Sequence, residues 1–217
     1  MNWLSRLIRY VVKFSAFTTF AVLFFIIAYI LARGIPYLKP SLFALEYTTE
    51  NVSLLPAIIT TLIMTVLALL ISAPIGIFTG FYLVEYAKSG NKLVEIIRIT
   101  TETLSGIPSI VYGLFGLLFF VTTLGWGFSI IAGAFTLAIM ILPLIIRSTE
   151  EALLAVPDLL REASYGLGAG KLRTIFRIVL PSAMPGILAG IILAIGRIVG
   201  ETAALIYTAG TVAKIPE

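Results

Sequence analysis

Long uncharged runs alternate with short charged stretches along this chain, and the runs have the length of membrane-spanning helices. Such a helix needs about 20 predominantly apolar residues. Residues 14–32 form one uncharged run, residues 51–84 a second, and residues 107–146 a third long enough for two spans. Gly125-Trp126-Gly127 supplies a turn inside the third run. A fourth run covers residues 182–209, interrupted only by Arg197 and Glu201. The pattern predicts an all-α bundle of five spans at 14–32, 54–84, 107–124, 128–146 and 182–209, with 54–209 as its core domain. Between spans two and three, residues 85–106 read as an amphipathic interfacial helix. Leu93, Ile96, Ile97, Thr100 and Leu104 mark its apolar side, and Lys92, Glu95, Arg98 and Glu102 oppose them. Residues 147–181 break the apolar pattern again. Val156-Pro157-Asp158 has the form of a helix start with Asp158 as N-cap. Leu159, Ala163 and Leu167 recur at i, i+4 and i+8 with Leu160 beside them, and Gly166, Gly168 and Gly170 end the helix.

Composition supports a lipid environment. The 217 residues are 59% hydrophobic and 12% charged, against about 25% charged in an ordinary soluble domain. Mean hydropathy is +1.08. No cysteine and no histidine are present, which removes disulfides, thiolate chemistry, the usual general base and the commonest metal ligand. The net charge of +4 does not point to nucleic acid, because the basic residues lie between apolar runs. With the N-terminus (residues 1–13) inside, Arg6, Arg9, Lys13, Lys88, Lys92, Arg98, Arg147, Arg161, Lys171, Arg173 and Arg177 are cytoplasmic. Only Arg33, Lys39 and Lys214 are external, the bias expected of a membrane protein. Residues 14–32 are longer than a signal-peptide core and lack a small-x-small cleavage site, so they read as a retained span.

Small residues recur every four positions: Ser72, Gly76 and Gly80; Gly186 and Gly190; Gly196 and Gly200. This spacing lets helices approach closely in lipid and reads first as bundle packing. Pro74 and Pro143 are expected to kink their spans.

On periodicity alone, the helix at 158–168 suits either a partner's groove or the membrane surface. Glu162-Ala163-Ser164, then Gly168, then Ile178-Val179-Leu180-Pro181 resembles the EAA loop of ABC-importer permeases, with Ser164 in place of the second alanine. The resemblance implies a type I permease fold, similar to the MetI-like bundle. It also implies that Asp158, Leu159, Arg161, Glu162, Ala163, Ser164, Leu167 and Gly168 couple to a separate ATPase. The stretch from Gly166 to Leu172 is not a phosphate-binding P-loop, because the serine or threonine that must follow the lysine is Leu172 and no buried strand precedes it.

Arg197 and Glu201 are the charges deep in a predicted span. A charge near mid-membrane costs about 2.5–3.5 kcal/mol on insertion scales. Their i, i+4 spacing puts both side chains on one helix face, where they can pair. Their candidate roles are a buried lock between helices or an oxyanion site, since a guanidinium matches tetrahedral anions with paired donors. Arg197-Ile198-Val199-Gly200-Glu201-Thr202-Ala203 resembles the R-x-x-GETA motif of phosphate-importer permeases, residues 105–114 also resemble that family, and residues 204–210 favour its PstA-type subunit over the PstC type. This implies Arg197, Glu201 and Thr202 on the substrate pathway. Implied partners are a homologous PstC-type permease, two ATPase subunits carrying ATP and magnesium, an external phosphate-binding protein and membrane lipid. No cofactor is implied on this chain, nor any catalysis by it. The implied location is the cytoplasmic membrane of a bacterium or archaeon. The family pattern continues into a sixth helix, whereas this sequence ends at Glu217, on the outer side in this topology.

Overall fold

In lipid a backbone has no water to bond with, so each spanning segment must satisfy its own amides and carbonyls, which favours helices. The computed structural model describes residues 3–87 and 90–211, and among them every regular element is helical. Lys88 and Lys214, which entered the charge argument, lie outside the described residues. The chain divides into two units, one up to Leu55 and one from Pro56 onward.

The first unit holds α1 (Trp3–Gly34), none of whose described side chains is buried. Two short 3-10 turns follow, Ile35–Tyr37 and Pro40–Phe43, each with proline in its opening turn. A polar knot closes this unit. Ser53 Oγ donates to the carbonyls of Leu42 and Ala44, and Asn51 Oδ1 accepts from the amides of Thr48 (2.9 Å) and Ser53 (3.1 Å).

The second unit is arranged round α5 (Ile130–Leu154), which is buried on nearly every side over its membrane half. A helix that is apolar all round belongs at the centre of its bundle. Around it lie α2 (Leu55–Phe81), α3 (Lys92–Ser105), α4 (Ser109–Gly116), α8 (Leu180–Val199) and α9 (Ala203–Thr208). Met64 and Ala68 of α2, Tyr112 of α4, Leu137, Met140 and Ile141 of α5, and Ala194 and Ile198 of α8 share one core. The small residues flagged by spacing are where backbones meet. A Cβ added at Gly76 or Gly80 would stand 2.7 Å from Ile145 or Thr149 of α5, and one at Gly186 would stand 2.7 Å from Ala152. Pro74 and Pro143 lie within continuous helices.

Among the described residues, four helical stretches are long and apolar enough to cross a membrane: Trp3–Tyr37, Leu55–Tyr86, Ile130–Leu154 and Lys171–Val199. Where a third span is predicted at 107–124, the structure has eight α-helical residues followed by a π-helical stretch, Leu117–Thr123. This piece bends by 102° from α3 and qualifies as a span only together with it. Pro108 explains the bend, since its ring removes a donor and disfavours helix at the residue before it. The face of α3 that packs inward carries Val94, Ile97, Thr101 and Leu104, while Leu93 and Ile96 of the expected face are exposed. The turn after Thr123 uses left-handed glycines, Gly125 (φ +67°) and Gly127 (φ +64°). Trp126 between them stacks 5.3 Å from Phe120.

The predicted span at 182–209 is a further difference. The helix ends at Val199, the chain breaks over residues 200–202, and α9 starts at Ala203. Gly200 caps α8, and the Glu201 carboxylate then accepts the Ala204 amide at 3.1 Å. Gly200 keeps an ordinary right-handed conformation, so no glycine-specific geometry ends α8, whereas a carboxylate at the entrance of the next helix is locally favourable.

Candidate coupling loop and span-five cation

The loop helix α6 (Asp158–Gly166) starts one residue earlier than an Asp158 cap implies, because Pro157 is the cap and Asp158 is its first helical residue. A proline cap lacks a side-chain acceptor, and Asp158 Oδ1 instead takes a hydrogen bond from Arg161 Nη1 at 3.0 Å. The exit is more tightly determined. Gly168 takes φ +81°, its amide donates to the Tyr165 carbonyl (2.9 Å), and the Ala169 amide donates to the Ser164 carbonyl (3.1 Å). This paired 5→2 and 6→1 closure is the Schellman motif, whose left-handed position glycine fills without steric cost. Gly168 therefore has a backbone cause, whereas Gly166 and Gly170 take no left-handed conformation and have open space at the Cβ position. Gly168→Ala is expected to destabilise this turn by about 1–2 kcal/mol, read as faster proteolysis between residues 166 and 171.

The apolar residues of α6 face outward. Leu159 is 72% exposed and Leu167 is 90% exposed, with Leu160, Glu162 and Ala163 also at the surface. Glu162 has no ion pair or hydrogen-bond partner among the described residues. Ser164 turns inward, where its hydroxyl lies 2.8 Å from that of Thr174, a residue of α7 (Lys171–Thr174). A small side chain is required there, and the hydroxyl adds a bond that alanine would lack.

Arg161 belongs to the other side of the helix. Its Nε and Nη2 donate to Glu85 Oε1 (3.1 and 3.0 Å), and Nη2 also donates to the Leu153 carbonyl (2.9 Å). Nη1 donates to the Val156 carbonyl (2.8 Å) and to Asp158. Those contacts use all five guanidinium donors. Glu85 lies on a π-helical turn, Tyr82–Tyr86, that continues α2. Lys171 donates to the Glu85 carbonyl and stands 4.5 Å above the Tyr86 ring, so the lysine of the apparent P-loop is engaged elsewhere. Sequence reasoning assigned nothing to Glu85. Its signal was weak: the first charge after a long uncharged run, with no marker of its partner 76 positions away.

Arg197, Glu201 and Thr202 sit together at the end of α8 but do not bond to one another. The expected i, i+4 pair is absent, since the break carries Glu201 off the helix and commits its carboxylate to Ala204. Arg197 is part-buried, with no ion pair and no hydrogen-bond partner among the described residues. It lies within electrostatic range of Tyr112 on α4. Thr202 is exposed, and its carbonyl accepts the Ile206 amide at 3.2 Å.

Comparison with known proteins fits this geometry. Over 144 residues the chain is 47% identical to the probable ABC transporter permease protein YqgI of Bacillus subtilis, covering 66% of this chain and 49% of that protein. It is 45% identical over 150 residues to the phosphate transport system permease protein PstA 1 of Mycobacterium tuberculosis, covering 69% and 49%. It is also 43% identical over 187 residues to the phosphate transport system permease protein PstA of Pasteurella multocida, covering 83% and 64%. The chain thus spans about half the length of the first two relatives. An inward-facing structure of the MetNI methionine ABC transporter superposes with a TM-score of 0.56 at 24% identity, covering 67% of each chain. The fold is therefore that of the ABC-importer permeases. The family described as binding-protein-dependent transport system inner membrane component matches residues 72–215. That match takes in the central helix, the outward-facing loop helix and the broken fifth segment, and this chain belongs to that family.

Proposed function

We propose that this chain forms one half of the translocation pathway of an ATP-driven importer of inorganic phosphate. The observation that carries this reading is Arg197, a part-buried guanidinium near the end of an apolar helix that makes no ion pair among the described residues. An unpaired charge inside an apolar spanning stretch is costly and marks a pathway more often than a packing device. Its forked donors suit a tetrahedral oxyanion, and weak binding from one side leaves the anion free to depart. The two relatives whose names specify phosphate transport support that anion over others.

In this reading α6 is the coupling helix. Its outward leucines and the unpartnered Glu162 seat in a cytoplasmic ATPase, which binds ATP and magnesium and performs the hydrolysis. A PstC-type permease supplies the other half of the pathway, and an external binding protein delivers phosphate. The N-terminus is cytoplasmic.

The same guanidinium chemistry fits molybdate and sulfate, so the decisive measurement is competition. In proteoliposomes holding the assembled complex, uptake of radiolabelled phosphate should require ATP and withstand excess molybdate or sulfate. Inhibition by molybdate at phosphate-like concentrations would move the assignment to that oxyanion. Loss of ATPase co-purification on replacing Glu162 with arginine checks the coupling role separately.

A further inference from the structure

We propose that the Arg161–Glu85 pair is a strut that carries displacement of α6 into α2, making both positioning residues for transport. This rests on the reading of α6 as an ATPase-docking helix, and not on the identity of the anion.

The reasoning starts from connectivity. α6 is joined covalently to α5 through Pro157 and to α7 and α8 through residues 167–170, so motion of α6 reaches those helices along the chain. α2 has no covalent link to α6 and meets α5 by close packing at Gly76 and Gly80. Among the described residues, the polar contacts from the loop to the turn that prolongs α2 are made by Arg161 and Lys171, both at Glu85. Two features make this a stiff connection. Arg161 directs two donors at a single carboxylate oxygen, with side-chain exposures of 13% and 6% for the pair, so water does little to screen it. Its remaining donors hold the Leu153 and Val156 carbonyls at the end of α5, which fixes the guanidinium plane. Glu85 is itself on the turn that prolongs α2, so a push on its carboxylate passes into the helix axis. The outward face of α6 is left open for a partner while its inward face is fully engaged.

The chain has no cysteine, so pairs of spin labels can be placed without prior substitutions. Labels at Leu62 on α2 and Ile192 on α8, both exposed, report the separation of the two helices in the assembled complex. ATP with vanadate should shift that distance in the wild type. Glu85→Gln keeps the shape of the side chain and removes its charge, and Arg161→Lys keeps the charge and loses the fork. Each variant should lose the shift, and lose uptake per ATP hydrolysed, while ATPase co-purification remains at wild-type level; Glu85→Gln also lowers the thermal transition, because it leaves the buried Arg161 charge without its partner. A purely structural role would lower co-purification together with the shift, and that pattern overturns the proposal. A shift retained in both variants, or absent from the wild type, overturns it as well. A wild type that shifts but carries no phosphate supports the strut and sinks only the choice of anion.

Discussion

Replacing Arg197 with glutamine is expected to reduce ATP-driven phosphate uptake by about a hundredfold or more, with the complex still assembled. The magnitude follows from losing two charge-assisted hydrogen bonds to the anion at about 1.5 kcal/mol each, with every 1.4 kcal/mol worth a factor of ten. Arg197→Lys retains the charge without the paired donors and should fall between, with a loss of about tenfold. Assembly should survive because the guanidinium has no hydrogen-bond or ion-pair partner among the described residues, so its removal orphans no group in this chain. Initial uptake rates in proteoliposomes, normalised to co-purified ATPase, make the comparison. Normal uptake by the glutamine variant would remove Arg197 from the pathway.

The second large effect is steric. A Cβ at Gly190 would stand 2.1 Å from Ser148 Oγ and 2.5 Å from Ser148 Cβ, where α8 lies against the central helix. Gly190→Ala should therefore push the two helices apart, destabilising the protein by about 1–3 kcal/mol. For a chain of this size that lowers the thermal transition by about 2–4 °C per kcal/mol. Ser148→Gly should restore stability in the double variant. Ser148→Ala should restore less, because its Cβ remains in the way. Gly196→Ala is the internal control, since nothing lies within 4 Å of the added atom. Equal losses at both glycines would show that helix propensity, not contact, sets the cost.

That contrast shows how far the residue pattern could be read. Four-residue spacing identified Gly190 and Gly196 alike, yet only one meets a neighbour, because spacing records which face a residue occupies and not what covers that face. The outward leucines of α6 and the left-handed Gly168 were legible, since both depend on interactions within a few residues. Arg161 was legible as part of the loop but not as an inward clamp, because its partner Glu85 comes from a distant turn. The Arg197–Glu201 pair failed for a different reason. Helical spacing presumes a continuous helix, whereas the Glu201 carboxylate accepts the Ala204 amide at the start of the next one. The bend before Ser109 was likewise signalled by Pro108, although an uncharged run gives no hint of how sharply it turns.

One consequence concerns α1 and the thickness of the bilayer. Its 32 residues extend about 48 Å at 1.5 Å per residue, whereas the hydrocarbon layer is about 30 Å thick. The uncharged portion, residues 14–32, matches that layer closely. The preceding turns carry Arg6, Arg9 and Lys13 and continue as the same rigid rod at headgroup depth. Arg33 in the last turn bounds the uncharged portion on its other side, so basic side chains flank it at both ends. Thicker membranes should draw those turns inward at a cost in charge burial, and thinner ones should increase the tilt.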